Sequence, residues 1–578
     1  MKHLIFISFL LVQALRCLAQ TQPYTFQSRI LEEGSGTPLP FVTVFNKNQR
    51  FGTASNEDGF FVLPNNDMGD TIVVTFLGYQ EQFIPVTNNM PAIIILSPES
   101  STLSEIVVTA ESDFLYELVS GLKRHKKTKS KTSKTYFFLE TTMVDEPVEI
   151  IEAYYNGTYS DHGIDDLKIK KGRIGVKAVD GRYFRSTESS SLFSLHDVFS
   201  RSYYFPESPL EMGKKELKKN YEVNLNHIFD RDQSQIYVVD IEARNNRKDL
   251  FDATVWIDRT NNRLIKVSLR IQDASVYPFL PIGFNTLKEV DMEINKSYEV
   301  IDGDSYVNTI DFSYTITYED KWGQTASVKT NAFTRAYDYD DQFDLPLFEF
   351  TRHFHEDYRN MTVAPYDYAF WEKTSDFRFY DRLEEIEQFI SKNKIDHRVF
   401  HPRSRQDSMR SQLQFTYIRW DSDRFEMKEA PEDVIYKSKT TTKFEIERYH
   451  LSFKLYLDVN FLQDTFVYQL YSILDPVDSY YYFQIIPNDL AYMNMCFDLL
   501  EMEKRELDAE LSKLTSPDKS IIEQLYHDHM RKFEENRNQL TLDTNRGSSR
   551  LGMLRWNETI EKSLGVNNLS VFKLMNTD

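Results

Sequence analysis

The run from Leu490 to Leu514 constrains the fold more than any other stretch of this 578-residue chain. Apolar residues recur along it at spacings of three, four or seven positions: Met493, Cys496, Leu500, Leu507, Leu511 and Leu514. This is the 3.6-residue period of a helix that buries one face. The run therefore predicts a core helix, and the strand-like segments before it, the last from Tyr480 to Ile486, place this helix in an α+β domain at residues 413–578.

Two further helices are predicted after it. Ser516 is the expected N-cap of the next helix, with Pro517 at its first position. The final helix is expected to run from Arg550 and to stop at Gly565.

Part of the predicted helix, CFDLLEMEKR from Cys496 to Arg505, resembles the end of the active-site helix in a family of secreted bacterial zinc peptidases with an HExxH motif. On that pattern the motif falls on Tyr492, Met493, Asn494, Met495 and Cys496. In HExxH, two histidines one turn apart bind Zn²⁺, and the glutamate beside the first activates the metal-bound water. All three residues are absent here, so the resemblance implies a peptidase-like scaffold that has lost its catalysis.

Further positions around this helix carry the same resemblance. Those that match the family's flanking residues are Phe497, Asp498, Glu501, Thr544, Gly547 and Trp556. The segment RWDSDRF, Arg419 to Phe425, is similar to a strand of the family. The positions of the degenerate former metal site are Tyr492, Met493, Cys496, Glu501 and Arg546, the last of which replaces a family histidine. The resemblance thus implies no catalytic residue, no metal and no cofactor.

The N-terminus has the layout of a secretory signal peptide over residues 1–19. Lys2 precedes an apolar run from Leu4 to Leu15, and the small residues Cys17 and Ala19 precede Gln20. The apolar run is shorter than the ~20 residues that span a bilayer, which favours export with removal of the segment over a membrane anchor. After removal only Cys496 remains, so an intrachain disulfide is excluded.

Composition restricts the class of partner. The chain is 41% hydrophobic and 14% aromatic, enough for three or four domains with buried cores, and its formal net charge is -20. Such acidity disfavours nucleic acid, and no later apolar run reaches membrane-spanning length. We therefore expect the partner to be another envelope protein or an unidentified ligand.

Residues 20–110 show short strand-like runs separated by frequent turns, which is typical of a small antiparallel β-sandwich. Asp58 and Gly59 form a tight turn that needs a residue tolerant of positive φ. The segments LPFVTV, GTASNEDGFFVL and DTIVVTFLGY, which ends in Gly78 and Tyr79, resemble the carboxypeptidase-regulatory-like domain, a transthyretin-type sandwich. LSEIVVTA, Leu103 to Ala110, resembles the strand that follows this domain in TonB-dependent receptors. The resemblance implies a docking or folding module without chemistry of its own.

Residues 111–134 predict a linker helix followed by a basic run. The apolar spacing from Phe114 to Leu122 is helical, and Lys123 to Lys127 are all basic. Basic residues suit a helix C-terminus, so a solvated helix end is favoured over a patch for lipid headgroups or polyanions.

Residues 135–400 alternate apolar and polar side chains over many segments. In RLIKVSLRI, Arg263 to Ile271, every second residue is apolar, which indicates a strand with one buried face. The pattern predicts one curved antiparallel sheet and is similar to the half-barrels of periplasmic lipoprotein carriers. His353 and His355 could supply metal ligands but are more typical of a surface turn, and residues 401–412 form a linker.

These features predict an α+β, mostly β chain: an antiparallel sandwich, a β-rich curved middle sheet, and terminal strands followed by about three helices. The predicted function is an exported, non-catalytic binding or assembly protein of the periplasm or outer-membrane region. No G-x-S-x-G, phosphate loop or HExxH motif is present. Two alternatives stay open: a hydrolase with an unrecognised site, and a carrier that holds an apolar ligand in the middle half-barrel.

Overall fold

The computed structural model describes residues 24–574. The gaps in this description are residues 40–41, 49–50, 56–58, 77–78, 99–111, 124–126, 180–181, 185, 232–233, 281–284, 349, 351–356, 366, 368–369, 372–382, 394–398, 401–416, 422–423, 428–448, 463–464, 482–484 and 516. Several predictions fall outside the described residues: the signal peptide 1–19, Asp58, Gly78, the strand Leu103 to Ala110, His353, His355 and the linker 401–412.

The N-terminal part is a sandwich of two small sheets, ordered β4-β1-β7 and β3-β2-β5-β6. Its strands are β1 (Tyr24–Glu32), β2 (Thr43–Asn46), β3 (Phe51–Ala54), β4 (Phe60–Asn66), β5 (Thr71–Thr75), β6 (Gln82–Pro85) and β7 (Ile93–Leu96). Phe26 and Ile30 of β1 point into the core because side chains on a strand alternate between its faces. One pairing departs from the predicted antiparallel pattern: β7 joins β1 in parallel.

The middle of the chain forms one ten-stranded antiparallel sheet, ordered β10-β9-β8-β19-β18-β17-β16-β15-β14-β13. Its strands are β8 (Lys131–Met143), β9 (Glu146–Tyr159), β10 (Ile164–Val176), β13 (Tyr221–Arg231), β14 (Ser234–Ala243), β15 (Asp252–Asp258), β16 (Arg263–Ile271), β17 (Thr286–Ile301), β18 (Asp304–Glu319) and β19 (Thr325–Tyr337). A separate short pair is β11 (Ala178–Val179) with β12 (Arg182–Tyr183). The large curved sheet predicted from the alternation is therefore confirmed.

One face of the ten-stranded sheet is covered by helices α1 (Ser112–Leu122), α2 (Thr187–Ser194) and α3 (Lys214–Asn220). Leu115 and Val119 of α1 are buried in the same cluster as the apolar strand residues. Phe193 of α2 stacks on Phe312 at a centroid distance of 4.9 Å. The apolar side of the half-barrel is therefore filled by side chains of the chain itself.

Described lysines of the basic run pair with acids of neighbouring loops. Lys131 contacts Asp340 at 2.7 Å and Lys134 contacts Asp341 at 2.5 Å. Both lysines belong to β8, so the first strand of the large sheet begins inside the segment predicted as a linker. The predicted solvated helix end therefore does not describe Lys131 and Lys134, which are strand residues paired with acids.

The C-terminal part is a three-stranded sheet packed against helices. Its strands are β21 (Ile418–Arg419), β23 (Tyr449–Leu462) and β24 (Thr465–Tyr481), and its helices are α6 (Pro487–Leu511), α7 (Lys519–Thr544), α8 (Arg550–Leu564) and α9 (Asn568–Val571). The connecting region contains α4 (Asp357–Asn360), α5 (Leu383–Lys392), and the parallel pair β20 (Val399–Phe400) and β22 (Glu426–Met427). The described part of the chain contains no helix long and apolar enough to cross a membrane.

The core helix exists, but its predicted burial was wrong in one respect. In α6 all residues from Ala491 to Glu501 are buried, so its first half is enclosed on every side. Polar side chains there form hydrogen bonds with neighbouring residues. Asn494, for example, donates to the backbone carbonyl of Phe425 and accepts from its backbone N–H, both at 3.3 Å. The next helix also begins later than predicted, with Asp518 as its N-cap and Lys519 as its first residue.

A buried ion cluster joins the large sheet to the C-terminal sheet. The register of β10 shifts between Ile169 and Lys171, and such a bulge re-aims side chains. Lys170 and Lys171 both reach Asp458 of β23, Lys170 at 2.5 Å. Lys171 also contacts Asp367 at 2.7 Å. Since Lys170 and Asp458 are almost fully buried, this cluster fixes the contact between the two sheets.

Candidate functional site

A cleft of about 1170 Å³ separates the sandwich from the ten-stranded sheet. Its roof is formed by the outer face of the β3-β2-β5-β6 sheet, through residues such as Thr43, Phe45 and Thr75. Its floor is the face of the large sheet opposite to the helices, mainly β15 to β19. The cleft is larger than the roughly 300–1,000 Å³ typical of small-molecule pockets.

The floor is polar because of strand alternation. In β16 the apolar residues Val267 and Leu269 face the helices, so Lys266, Ser268 and Arg270 face the cleft. Strand pairing then sets polar residues of different strands side by side. One such row across β15 to β18 is Thr254, Ser268, Asn295 and Asp311.

Asn295 organises the centre of the floor. Its side-chain amide donates to Asp311 at 2.9 Å and to Glu293 at 3.0 Å. Burial raises the pKa of Asp311 to about 6. Asn295 thus holds the carboxylates of Asp311 and Glu293 side by side as hydrogen-bond acceptors. Because burial disfavours a negative charge without a partner, this position favours a ligand that brings a hydrogen-bond donor or a cation.

Lys266 is the cation at the contact between the two domains. Its Nζ lies 4.9 Å from the ring centroid of Trp256 on the sheet and 5.2 Å from that of Phe76 on the sandwich. Among the described residues, no carboxylate lies within ion-pair distance of Lys266. Burial lowers the pKa of this ammonium, although Asp311 and Glu293 act in the opposite direction.

The arrangement offers several groups that can bind a polar ligand. The floor offers hydroxyl, amide and charged groups of both signs, with a half-buried cation and a carboxylate of raised pKa close to one another. Convergent polar groups with perturbed pKa values in a large cleft are the usual mark of a ligand site. This cleft was not predicted from the sequence. The alternation in β16 indicates a polar face of the sheet, but no local pattern indicates that the sandwich covers that face.

The positions that the peptidase-like resemblance assigns to a former metal site lie mostly on or beside the first half of α6. Tyr492 donates to or accepts from Thr541 of α7 at 2.8 Å, and Gly547 packs so closely that an added Cβ would lie 3.0 Å from the Tyr492 Cβ. Cys496 and Met493 are buried. Burial raises the pKa of the Cys496 thiol to about 12, so the free thiol stays protonated at neutral pH.

The acidic residues of α6 are engaged in structural contacts. Asp498 is fully buried and accepts from Trp420 at 2.7 Å, Arg424 at 2.6 Å and Asn568 at 2.6 Å. Glu501 accepts from Ser472 at 3.0 Å and pairs with Arg505 at 3.0 Å. These bonds tie the helix to its neighbours.

The remaining positions of the resemblance are structural in the same sense. Arg546 is exposed in the turn after α7, with φ of 54°. Trp556 donates to Asp543 at 3.0 Å, and Phe497 packs in the core.

Gly59 and Tyr79 stabilise the sandwich. Gly59 has φ of +74°, and a Cβ there would lie 2.4 Å from the Ile30 carbonyl oxygen, so only glycine fits. Tyr79 donates from its hydroxyl to Glu32 at 2.6 Å.

A second group of potential metal ligands lies between α6 and α7. Ligand atoms of Glu503, Glu506 and His529 lie within 4.8 Å of one another. Hydrogen bonds already engage this group: His529 Nδ1 lies 2.9 Å from Glu503, which also accepts from Asn536 at 3.1 Å. Sequence analysis missed the group because the helix pairing, not the spacing, brings these residues together.

Comparison with known proteins identifies the N-terminal module. Residues 27–108 match the family described as the CarboxypepD_reg-like domain, which confirms the predicted resemblance. Over 79 residues the chain is 38% identical to the TonB-dependent receptor SusC of Bacteroides thetaiotaomicron. This match covers 14% of the chain and 8% of the receptor.

Two of the matching solved structures show how remote the similarity is. A LolA superfamily protein from Nitrosomonas europaea is 11% identical, covers 40% of this chain and 94% of its own, and has a TM-score of 0.16. A putative membrane-associated protein of unknown function from Bacteroides fragilis is 7% identical, covers 55% and 98%, and has a TM-score of 0.11. Scores this low carry no argument. The peptidase-like resemblance of residues 413–578 stays a prediction.

Proposed function

We propose that the protein is an exported, non-catalytic binding protein of the cell envelope that holds a polar ligand or partner segment in the cleft between sandwich and sheet. The observation that carries this proposal is the half-buried Lys266, clamped between Trp256 and Phe76 over a floor of polar side chains. A cation placed at the contact of two domains, without a carboxylate partner among the described residues, is suited to recognition.

Two features support the envelope setting. The regulatory-like domain occurs here in a chain whose first residues resemble a signal peptide. In addition, 79 residues of the chain are 38% identical to the receptor SusC. The proposed location is the periplasm or the outer-membrane region. The sandwich then serves as the docking module that roofs the cleft.

Site-specific photo-crosslinking tests the proposal. A photoreactive residue at Ser297, on the cleft floor, should form an adduct in envelope extracts of the native host. The same residue at exposed Lys562 of α8 serves as the control. We expect Lys266→Gln to reduce the Ser297 adduct at least about tenfold, because a lost charge-assisted contact changes affinity by more than 1.4 kcal/mol. Equal adducts from both positions would contradict the cleft as the binding site.

The hydrolase alternative is tested by metal analysis and peptidase assays on purified protein. We expect no stoichiometric zinc and no peptidase activity. If zinc were found, Cys496→Ala and His529→Ala would separate the former metal site from the group around His529. The carrier alternative is less favoured, because α1, α2 and Phe193 fill the apolar side of the sheet.

A further inference from the structure

Lys296 of β17 is a fully buried lysine on the helix-covered side of the large sheet, with a relative exposure of 0%. Its Nζ donates to the backbone carbonyl of His196. No carboxylate of a described residue lies within 4 Å of it. The other deeply buried lysines differ, since Lys170 and Lys171 each contact Asp458. Lys296 therefore carries a charge that the described part of the chain leaves without a counter-ion.

Two further buried polar groups lie in the same region without a hydrogen-bond partner among the described residues. They are the Nδ1 atom of His196 and the hydroxyl of Tyr298. His196 is 5% exposed and Tyr298 is 9% exposed. Tyr298 follows Lys296 by two positions on β17 and packs in the apolar cluster of the large sheet. The same residue also lines the cleft. Buried orphaned groups are rare and call for an occupant or a functional reason.

The local backbone closes over the ammonium. Gly163, with φ of +146°, lies so close that an added Cβ would be 3.3 Å from Lys296 Nζ and 3.7 Å from the His196 carbonyl oxygen. The nearby carboxylate of Asp197 is already engaged by His162 at 2.9 Å and by Ser200 at 2.6 Å. A buried cation and two unpartnered buried polar groups thus lie in this part of the chain, next to a loop in which a side chain at position 163 would be unfavourable.

We propose that this region binds a small monovalent anion of the halide class, with Lys296 as the counter-charge and the Tyr298 hydroxyl and the His196 ring as further donors. Burying an ammonium without a counter-charge costs several kcal/mol. A water molecule would satisfy the hydrogen bonds and leave the charge uncompensated, whereas a halide supplies both an acceptor and the opposite charge. Burial lowers the pKa of Lys296 to about 8, so the amine keeps its proton at neutral pH.

Thermal unfolding in different salts tests the proposal. The full-length protein is heated at pH 7 in sodium chloride, sodium bromide or sodium gluconate of equal ionic strength. An anion that binds the folded state raises Tm with its concentration, and we expect a saturable increase of about 3 °C in the two halides relative to gluconate. Lys296→Met should abolish the difference. Lys288→Met is the matched control, because Lys288 lies on the same strand, is exposed and pairs with Glu319.

Two outcomes of this experiment overturn the proposal: equal Tm values in chloride and gluconate, or a halide effect that persists in Lys296→Met. If that variant does not fold, crystals of the unchanged protein grown in sodium bromide decide the question. A bromide anomalous peak within hydrogen-bond distance of Lys296 Nζ supports the site. A water molecule at that place, or bromide at exposed lysines only, overturns it.

Discussion

Cys496, which the peptidase-like resemblance assigns to a former metal site, is a core residue in the structure. It is 4% exposed, lies on α6, and is surrounded by apolar residues of the C-terminal cluster. A buried thiol of this kind behaves as a small hydrophobe. Cys496 therefore contributes packing to the C-terminal core.

We predict that Cys496→Ala lowers the free energy of unfolding by about 1–2 kcal/mol, because it leaves a small cavity. Urea unfolding followed by circular dichroism measures the change. Cys496→Ser is the matched variant, and it should cost more than alanine because it buries a hydroxyl among apolar neighbours. Equal stability of all three proteins would mean that the site is looser than its burial indicates.

His196 gives a pH-dependent stability. Burial, followed by the charge of Lys296, lowers the pKa of His196 to about 3 from the usual value of about 6.5. Asp197 acts in the opposite direction. The unfolded chain therefore binds a proton below about pH 6.5 that the folded chain does not, so this contribution to stability is complete above pH 6.5 and is lost as the pH falls toward 3.

We predict that His196→Phe flattens the acid limb of the stability profile. At about pH 4.5 the unchanged protein should have lost about 3 kcal/mol through this residue, and the variant should not. Phenylalanine suits the site because the His196 ring packs edge-on against Phe205 at 4.7 Å. Chemical denaturation at pH 7 and at pH 4.5 measures both values. The same acid slope in the variant would assign the loss to other groups.

Single elements show where sequence reasoning succeeds. Strand β16 has the predicted bounds Arg263–Ile271, and Asn262 in the preceding turn has φ of 50°. Helix α8 begins at Arg550 and ends before Gly565, which has φ of 74°. These elements carry their own signals: a period of two, a turn residue, or a C-terminal glycine.

Other elements were not predicted because contacts between distant parts of the chain, and not the local sequence, determine their conformation. Strand β24 runs from Thr465 to Tyr481, whereas only a strand from Tyr480 to Ile486 was predicted there. It includes Pro476, and its long pairing with β23 holds it extended. The cleft was missed for the same reason: Lys266 and Asp311 are far apart in sequence and meet only through the pairing of β16, β17 and β18.

The ion cluster between β10 and β23 gives a prediction at the scale of elements. Asp458 is fully buried and faces both Lys170 and Lys171. Asp458→Asn removes their shared counter-charge and should destabilise the protein by about 3 kcal/mol or more. Urea unfolding measures the loss. Lys454→Met on the same strand is the comparison, since its partner Asp475 keeps Arg359. A smaller loss for Asp458→Asn than for Lys454→Met would contradict the role of the cluster.

At the scale of the whole molecule, two contacts of different kinds organise the chain. The large sheet meets the C-terminal part through buried ion pairs, and it meets the sandwich across a polar cleft. The first contact is deeply buried and therefore rigid. The contact with the sandwich includes Lys266 and the rings of Trp256 and Phe76. A cation–π contact of this kind stabilises by roughly 0.5–2 kcal/mol. The sandwich is thus the part whose position a ligand in the cleft can change most easily.

This difference predicts the effect of removing one ring. Phe76→Ala takes away the sandwich side of the contact with Lys266, so the sandwich should open from the sheet more often while its own core stays intact. Amide hydrogen exchange should then quicken in β2 and β5, which face the cleft, and remain unchanged in β1, which lies in the other sheet of the sandwich.

Phe83→Ala is the control for Phe76→Ala. The Phe83 ring belongs to the same sandwich, is exposed, and has the Nζ of Lys47 over it at 5.4 Å from the ring centroid. Faster exchange throughout the sandwich would show unfolding of the domain instead of its separation. Equal exchange in both variants would show that the two domains are held together by contacts other than the clamp on Lys266.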